Sequence, residues 1–170
     1  MAALLATPSH HLQEVVTTMA SGRTNRGKFK ELDWIYRAAT LPTNFYIALV
    51  TSAVVPGADT NTLSELTQIA TGNGYTDGGF QLARNSTDFD VLTEDDTLDV
   101  AFVQVKDVVW TASGGPIPAS GNGARYAILT DDNATVGSRL VLDYWDLVSD
   151  RTVSVGQTLT LQNSELRDTE

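Results

Sequence analysis

The chain has 170 residues, 42% hydrophobic and 19% charged, a composition typical of one soluble globular domain. It contains no cysteine, which excludes disulfides, thiolate zinc sites and cysteine nucleophiles. The formal charge is −10, but residues 1–38 carry +2 and the remaining residues −12, so nucleic-acid binding by the acidic main domain is not expected.

The N-terminal residues 1–42 differ from the rest and predict a basic arm with one or two short helices. Residues 9–22 predict the first helix, with Ser9 as its cap and Gly22 as its stop. The opening residues lack a basic region followed by a long apolar core, so no signal peptide is expected. No apolar run reaches the length of a transmembrane helix, and none is expected.

A second helix is predicted before Pro42, which cannot continue a helix. Its apolar residues recur at helical spacing: Phe29, Leu32, Ile35, Tyr36 and Ala39. Two interpretations stay open at this point. The helices pack within the chain, or the arm becomes ordered by partners, anchored on the aromatic and aliphatic face that also includes Trp34.

Residues 43–170 predict a mainly β domain, an antiparallel β-sandwich or a barrel-like fold with a short internal helix. Thr62 and Glu65 form a capping box at the start of that helix, and Gly72 is its predicted stop. Residues 85–97 are polar and acidic and predict a loop. The predicted strands are 45–50, 79–83, 98–110 with a bend near Asp107, 125–130, 139–148 and 152–162, with turns at 131–135 and Gly156-Gln157.

Catalytic chemistry has few candidate residues, and a non-enzymatic protein without a cofactor is expected. The only histidines, His10 and His11, are adjacent in the arm, so they do not share one helix face to chelate a metal. A Ser-His-Asp triad would require this arm to fold back over the body. Acidic residues crowd the segment 88–96, which lacks the EF-hand spacing. A solvated acidic loop is the simpler interpretation, and a calcium site there stays open.

The stretch "VVWTASGGPIPASGNGARYAIL" (108–129) places a loop of small residues between two apolar runs. It matches neither phosphate-binding glycine motif, and it leads into a strand rather than a helix. Two prolines, Pro116 and Pro118, stiffen its tip around Ile117. The loop is expected to be a contact element, with a passive connection as the alternative.

Four segments in this order resemble a group of small virion proteins of tailed bacteriophages: "TNFYIALVTSA", "GNGYTDGGFQLARNSTDFDV", "VWTASGGPIPASGNGARYAILTDD" and "YWDLVSDRTVSVGQTLTL". The resemblance covers about residues 43–166. Members of that group are described variously as head decoration or cement proteins and as tail-fibre-like proteins. The resemblance brings no catalytic residue with it.

The resemblance implies a non-enzymatic phage virion structural protein, foremost a capsid decoration or cement protein that stabilises the major capsid shell. Its expected partners are the major capsid protein or other virion proteins and further copies of itself, a trimer being one arrangement. No nucleic acid is expected on the main domain, and no membrane. The protein would be made in the host cytoplasm and located in the virion.

Two alternatives remain for the function. One is a tail, adaptor or fibre-associated virion protein. The other is a carbohydrate-binding β-sandwich that uses strand aromatics as stacking platforms, although these side chains are expected to fill the core. They are Trp110, Tyr126, Tyr144 and Trp145.

Partner contact is expected at the basic and aromatic part of the arm and at the tip of the proline loop. The candidate residues are Arg23, Arg26, Lys28, Phe29, Lys30, Trp34, Pro116, Ile117 and Pro118.

Overall fold

A computed structural model describes residues 13–17 and 20–169, and this part of the chain is mainly β with a single α-helix. The helix, α1, spans Asn25–Tyr36. The strands are β1 (Gln13–Thr17), β2 (Ala20–Arg23), β3 (Asn44–Val50), β4 (Phe80–Ala83), β5 (Val91–Asp95), β6 (Val100–Val105), β7 (Val108–Thr111), β8 (Ala124–Thr130), β9 (Val141–Arg151), β10 (Thr158–Gln162) and β11 (Ser164–Thr169).

One sheet has five strands in the order β2-β9-β8-β3-β4, and every pair in it is antiparallel. In β3, Ile47 and Leu49 belong to one apolar cluster, whereas Ala48 and Val50 belong to a second. Because successive side chains of a strand point to opposite faces, both faces of this sheet are covered. That double burial explains why the predicted strand 45–50 is continuously apolar rather than alternating.

The larger apolar cluster joins the five-stranded sheet to two three-stranded sheets, β1-β10-β7 and β11-β6-β5. Leu129 and Trp145 of the five-stranded sheet belong to this cluster together with Val108 and Leu159 of the sheet β1-β10-β7. The indole Nε1 of Trp145 also donates a hydrogen bond of 3.0 Å to the carbonyl oxygen of Glu165 in β11. The mainly β, sandwich-like prediction is confirmed, with β1 and β10 as a parallel exception.

The predicted strand 98–110 is two strands that belong to different sheets. β6 pairs with β5 and β11, whereas β7 pairs with β10, and the change of sheet occurs at Lys106 and Asp107. The predicted bend near Asp107 is confirmed. An ion pair between Lys106 and Asp88 lies beside the break.

The internal helix is confirmed only as one 3-10 turn, Leu63–Glu65. The carboxylate of Glu65 accepts the backbone N–H of Thr62 at 3.1 Å, as expected of a capping box. Beyond it the chain is extended, because Ile69 N–H donates to the Leu49 carbonyl at 3.1 Å and so satisfies the end of β3. Gly72, with φ of +119°, lies in a later turn and is not a helix stop.

The helix predicted over 9–22 is wrong for the described residues of that segment, which form β1 and β2. β2 pairs with β9 in the register Ser21 to Trp145 and completes one edge of the five-stranded sheet. Val15, Val16 and Thr17 are β-branched, which suits a strand better than a helix. His10 and His11 lie outside the described residues. The division of the chain at residue 42 stays a prediction.

The loop predicted over 85–97 is wrong for Val91–Asp95, which form the edge strand β5. β5 pairs with β6 through backbone hydrogen bonds, and most of its side chains are exposed. A strand with little buried side-chain area on either face shows no apolar alternation, so its pattern did not indicate it. The terminal strand β11, on the other side of β6, was not predicted either.

Two predicted turns are confirmed. In 131–135, the N–H of Thr135 donates to the side-chain oxygen of Asn133 at 3.0 Å, which is the local bonding expected of Asn in turns. At the other turn, Gln157 N–H donates to the Ser154 carbonyl at 2.9 Å. Gly156 has φ of +80° there, a conformation that glycine adopts readily.

Candidate functional site

The N-terminus of α1 is fixed to the five-stranded sheet by a buried threonine and a glycine. Thr24 accepts the N–H of Gly27 at 2.8 Å and donates its hydroxyl to the Val141 carbonyl at 2.6 Å. It therefore caps the helix and also holds it against β9. Gly27 lies so close to β9 that an added Cβ would clash with the carbonyl oxygen of Leu142.

We expect Gly27→Ala to destabilise the protein by about 1–2 kcal/mol. The gain in helix propensity is about 1 kcal/mol, whereas the clash with the Leu142 backbone costs about 2–3 kcal/mol. Urea unfolding measures the difference, with Gly57→Ala as the control because its new Cβ meets nothing within 4 Å. Equal stability of the two variants would contradict this tight docking of α1.

The apolar face of α1 points away from the chain. Tyr36 is 77% exposed and Ile35 63% exposed, and more than half of the surface of Phe29 and Leu32 is also exposed. These four residues are three or four positions apart and form one stripe, which we call the α1 patch. Packing of this face within the chain, one of the two interpretations left open, is therefore wrong for the described residues.

Trp34 lies on the other side of α1 and packs inward. Its ring meets Phe45 edge to face at a centroid distance of 6.3 Å, and it borders the larger apolar cluster. Trp34 thus anchors the helix to its own chain, whereas the predicted partner contact of Phe29 is compatible with its exposed position.

Positive charge surrounds the α1 patch. Lys28 and Arg37 are exposed, and the cations of Arg26 and Lys30 each lie 5.9 Å from the centroid of the Phe29 ring. The acids of the helix are neutralised, since Asp33 pairs with Lys30 at 3.0 Å and Glu31 pairs with Arg23 of β2. The α1 patch therefore has a basic rim, whereas Arg23 is turned toward the chain.

The proline loop folds back onto the body. Ile117 exchanges two backbone hydrogen bonds of 2.9 Å with Val153, and both Ile117 and Pro118 are buried. Asn73 donates its side-chain amide to the Pro116 carbonyl at 2.8 Å. Pro116 alone of the three predicted loop residues is exposed, so we do not retain Ile117 and Pro118 as surface contacts.

A cleft of about 640 Å³ opens beside the inner side of α1. One wall is formed by α1 and β9, including Trp34 and Leu142, and the other by the sheet β11-β6-β5, including Leu92 and Phe102. The walls are mostly apolar, and Arg167 and Asp168 of β11 add charge near Arg23. Sequence patterns did not indicate this cleft, because its walls come from segments far apart in the chain.

Asp143 lines the cleft and is only 1% exposed. Burial raises the pKa of its carboxyl to about 7, although the Tyr144 N–H that it accepts at 2.8 Å and the charge of Arg23 act in the opposite direction. Sequence patterns did not identify Asp143 as a site residue. The available signal was a single acid inside the apolar start of the strand "VLDYW".

The acidic segment 88–96 does not act as one cluster. Asp88 is buried, accepts the N–H of Ala83 at 2.7 Å and pairs with Lys106, whose hydrogen bond lowers the pKa of Asp88. The other acids of the segment are exposed or half-buried on β5 and its turn. Within the described residues, no group of three or more His, Asp or Glu side chains is placed to hold a metal ion.

The described part of the chain contains no helix with the length and apolar character needed to cross a membrane.

No protein-family model matches this chain, and neither a curated protein nor a solved structure matches it.

Proposed function

We propose that this protein is a non-enzymatic virion structural protein, foremost a capsid decoration protein that binds the major capsid shell. The observation that carries the proposal is the α1 patch, a stripe of four large apolar side chains left exposed on a helix that is otherwise firmly docked. Contiguous apolar surface of this kind commonly marks a protein–protein interface. The sequence resemblance to small phage virion proteins supplies the class of partner.

The basic rim supports binding to a partner protein whose surface is acidic. Aromatic and arginine side chains are the commonest anchors of interfaces. The α1 patch supplies two aromatic side chains, and its basic rim supplies Arg26 and Arg37. A shell presents its binding surface in many copies, so that weak single contacts add up through effective concentration. The α1 patch therefore needs only modest affinity for each subunit.

A tail, adaptor or fibre-associated virion protein is the alternative, and copy number separates the two. We expect quantitative mass spectrometry of purified particles to find on the order of hundreds of copies, because a shell repeats its subunits around many symmetry axes. The protein should also appear on heads separated from tails. A value of about six or twelve copies, confined to the tail fraction, would favour the alternative.

The carbohydrate-binding alternative loses its stacking platforms. Trp110, Tyr126 and Trp145 are buried in the two apolar clusters, as the core interpretation predicted, and Tyr144 is half-buried. A sugar ring needs an exposed aromatic face, so these three side chains are not available to it.

A further inference from the structure

A second exposed surface has the opposite charge to the α1 patch. It consists of residues 90–99, that is β5 with the residue before it and the turn that leads into β6, and we call it the acidic hairpin. Its apolar side chains are open to solvent, and Leu92 alone is 81% exposed, with Val91 and Leu98 also exposed. Its charged residues are all acids: Asp90, Glu94, Asp95, Asp96 and Asp99.

The acids of this hairpin are not neutralised by the chain's own cations. Within the described residues, Asp90, Glu94, Asp96 and Asp99 have no ion-pair partner, and the side chain of Asp95 serves the turn by accepting the N–H of Thr97 at 2.9 Å. The nearby cation Lys106 does not neutralise these acids, because it forms an ion pair with Asp88. The acidic hairpin is therefore a negative surface that also exposes apolar side chains.

The two surfaces complement each other in charge, and both expose apolar side chains. The α1 patch is an apolar stripe with a basic rim, and the acidic hairpin exposes Leu92 on the same face of β5 as the acid Glu94. Apolar area in the centre with charges of opposite sign around it gives affinity and orientation together.

The contact does not form within one chain. Gly27, Glu31 and Trp34 on the inner side of α1 line the cleft opposite Leu92, whereas the α1 patch lies on the outer side of the helix. A hairpin that contacts the α1 patch must therefore belong to another molecule.

We propose that the α1 patch of one copy binds the acidic hairpin of a second copy of this chain. The contact is head-to-tail, because each partner uses a different surface, and it continues into a ring or a chain of subunits. Two α1 patches facing each other would bring like charges together, as would two hairpins, and both arrangements are disfavoured. The inference rests on the adhesive role of the α1 patch in the proposed function.

Charge reversal in purified full-length protein tests the proposal, with size-exclusion chromatography and light scattering at low salt as the measurement. The wild type is expected to form oligomers that dissociate as salt screens the rims. The helix variant Lys28→Glu with Arg37→Glu, and the hairpin variant Asp90→Lys with Glu94→Lys and Asp96→Lys, should each weaken association by about tenfold or more.

Mixing the two reversed variants is the decisive arm. In the mixture, the acidic helix of one variant meets the basic hairpin of the other, and the unchanged surfaces also match, so association should return with alternating subunits. The control Asp77→Lys with Asp107→Lys and Asp150→Lys makes the same charge change as the hairpin variant, at exposed residues outside both surfaces, and should associate like the wild type.

A wild type that stays monomeric at low salt, or a hairpin variant that associates like the wild type, would overturn the proposal. Failure of the mixture to associate would do the same. The proposed function fails separately, if the protein is absent from purified particles. Self-association in solution with no particle attachment would therefore keep the inference and reject the virion role.

Discussion

Replacing Leu32 and Ile35 together by glutamate is expected to lower occupancy on purified particles by about 100-fold or more. Burial of one large apolar side chain contributes about 1.5–3 kcal/mol, and 1.4 kcal/mol corresponds to a tenfold change in affinity, so two lost side chains reach this size. Each glutamate also places a charge that would be costly to bury in the contact. The measurement is the number of variant copies per particle when the variant replaces the wild type.

A control of equal exposure distinguishes the α1 patch from apolar surface in general. Ile35 is 63% exposed and Val155, in the turn before β10, is 62% exposed. Val155→Glu should leave occupancy unchanged, whereas Ile35→Glu alone should lower it. Thermal unfolding of all these variants should match the wild type, because the replaced side chains contribute little to the core. Full occupancy of the Leu32 and Ile35 double variant would reject the α1 patch as the attachment surface.

Asp143→Asn is expected to stabilise the folded protein by up to about 4 kcal/mol at pH 8 and to change its stability little at pH 4. The pKa of Asp143 is about 7 in the folded protein, against about 4 in an unfolded chain. Between these values the unfolded chain has released the proton and the folded protein still binds it. The free energy of unfolding of the wild type therefore falls as pH rises from about 4 to about 7.

Above pH 7 the wild type carries the whole cost of a buried carboxylate, and asparagine removes that cost while its side-chain oxygen can still accept the Tyr144 N–H. Urea unfolding of both proteins at pH 4, 6 and 8 measures the difference. Asp150→Asn, at an exposed position of the same strand, is the matched control and should show no such trend. A difference between Asp143→Asn and wild type that is constant with pH would contradict the raised pKa.

The Leu32 and Ile35 double variant tests the outer side of α1, whereas Asp143→Asn tests the cleft on its inner side. The α1 patch on the outer side is expected to act in binding and to be neutral for stability. Asp143 faces the cleft on the inner side, where ionisation changes the stability of the fold. A variant that changes both the number of copies per particle and the free energy of unfolding would indicate that the helix shifts on binding.

Local sequence signals predicted much of the fold correctly. The double-sided burial of β3 was visible as an unbroken apolar run, and the turn at Gly156 was visible as a glycine between β-branched segments. These features depend on a few neighbouring residues. β5 was missed because edge pairing to β6 leaves its side chains in solvent, so its sequence shows no apolar alternation.

By itself, the sequence determined that the protein is mainly β, that a basic segment precedes an acidic body, and that Phe29, Leu32, Ile35 and Tyr36 share one helix face. Only the tertiary structure decided that this face is exposed and that Asp143 is buried. The physical reason is that periodicity fixes which side chains point together, whereas distant strands decide which side is covered. In this chain, Thr24 and Gly27 dock one side of α1 against β9 and leave the other side to solvent.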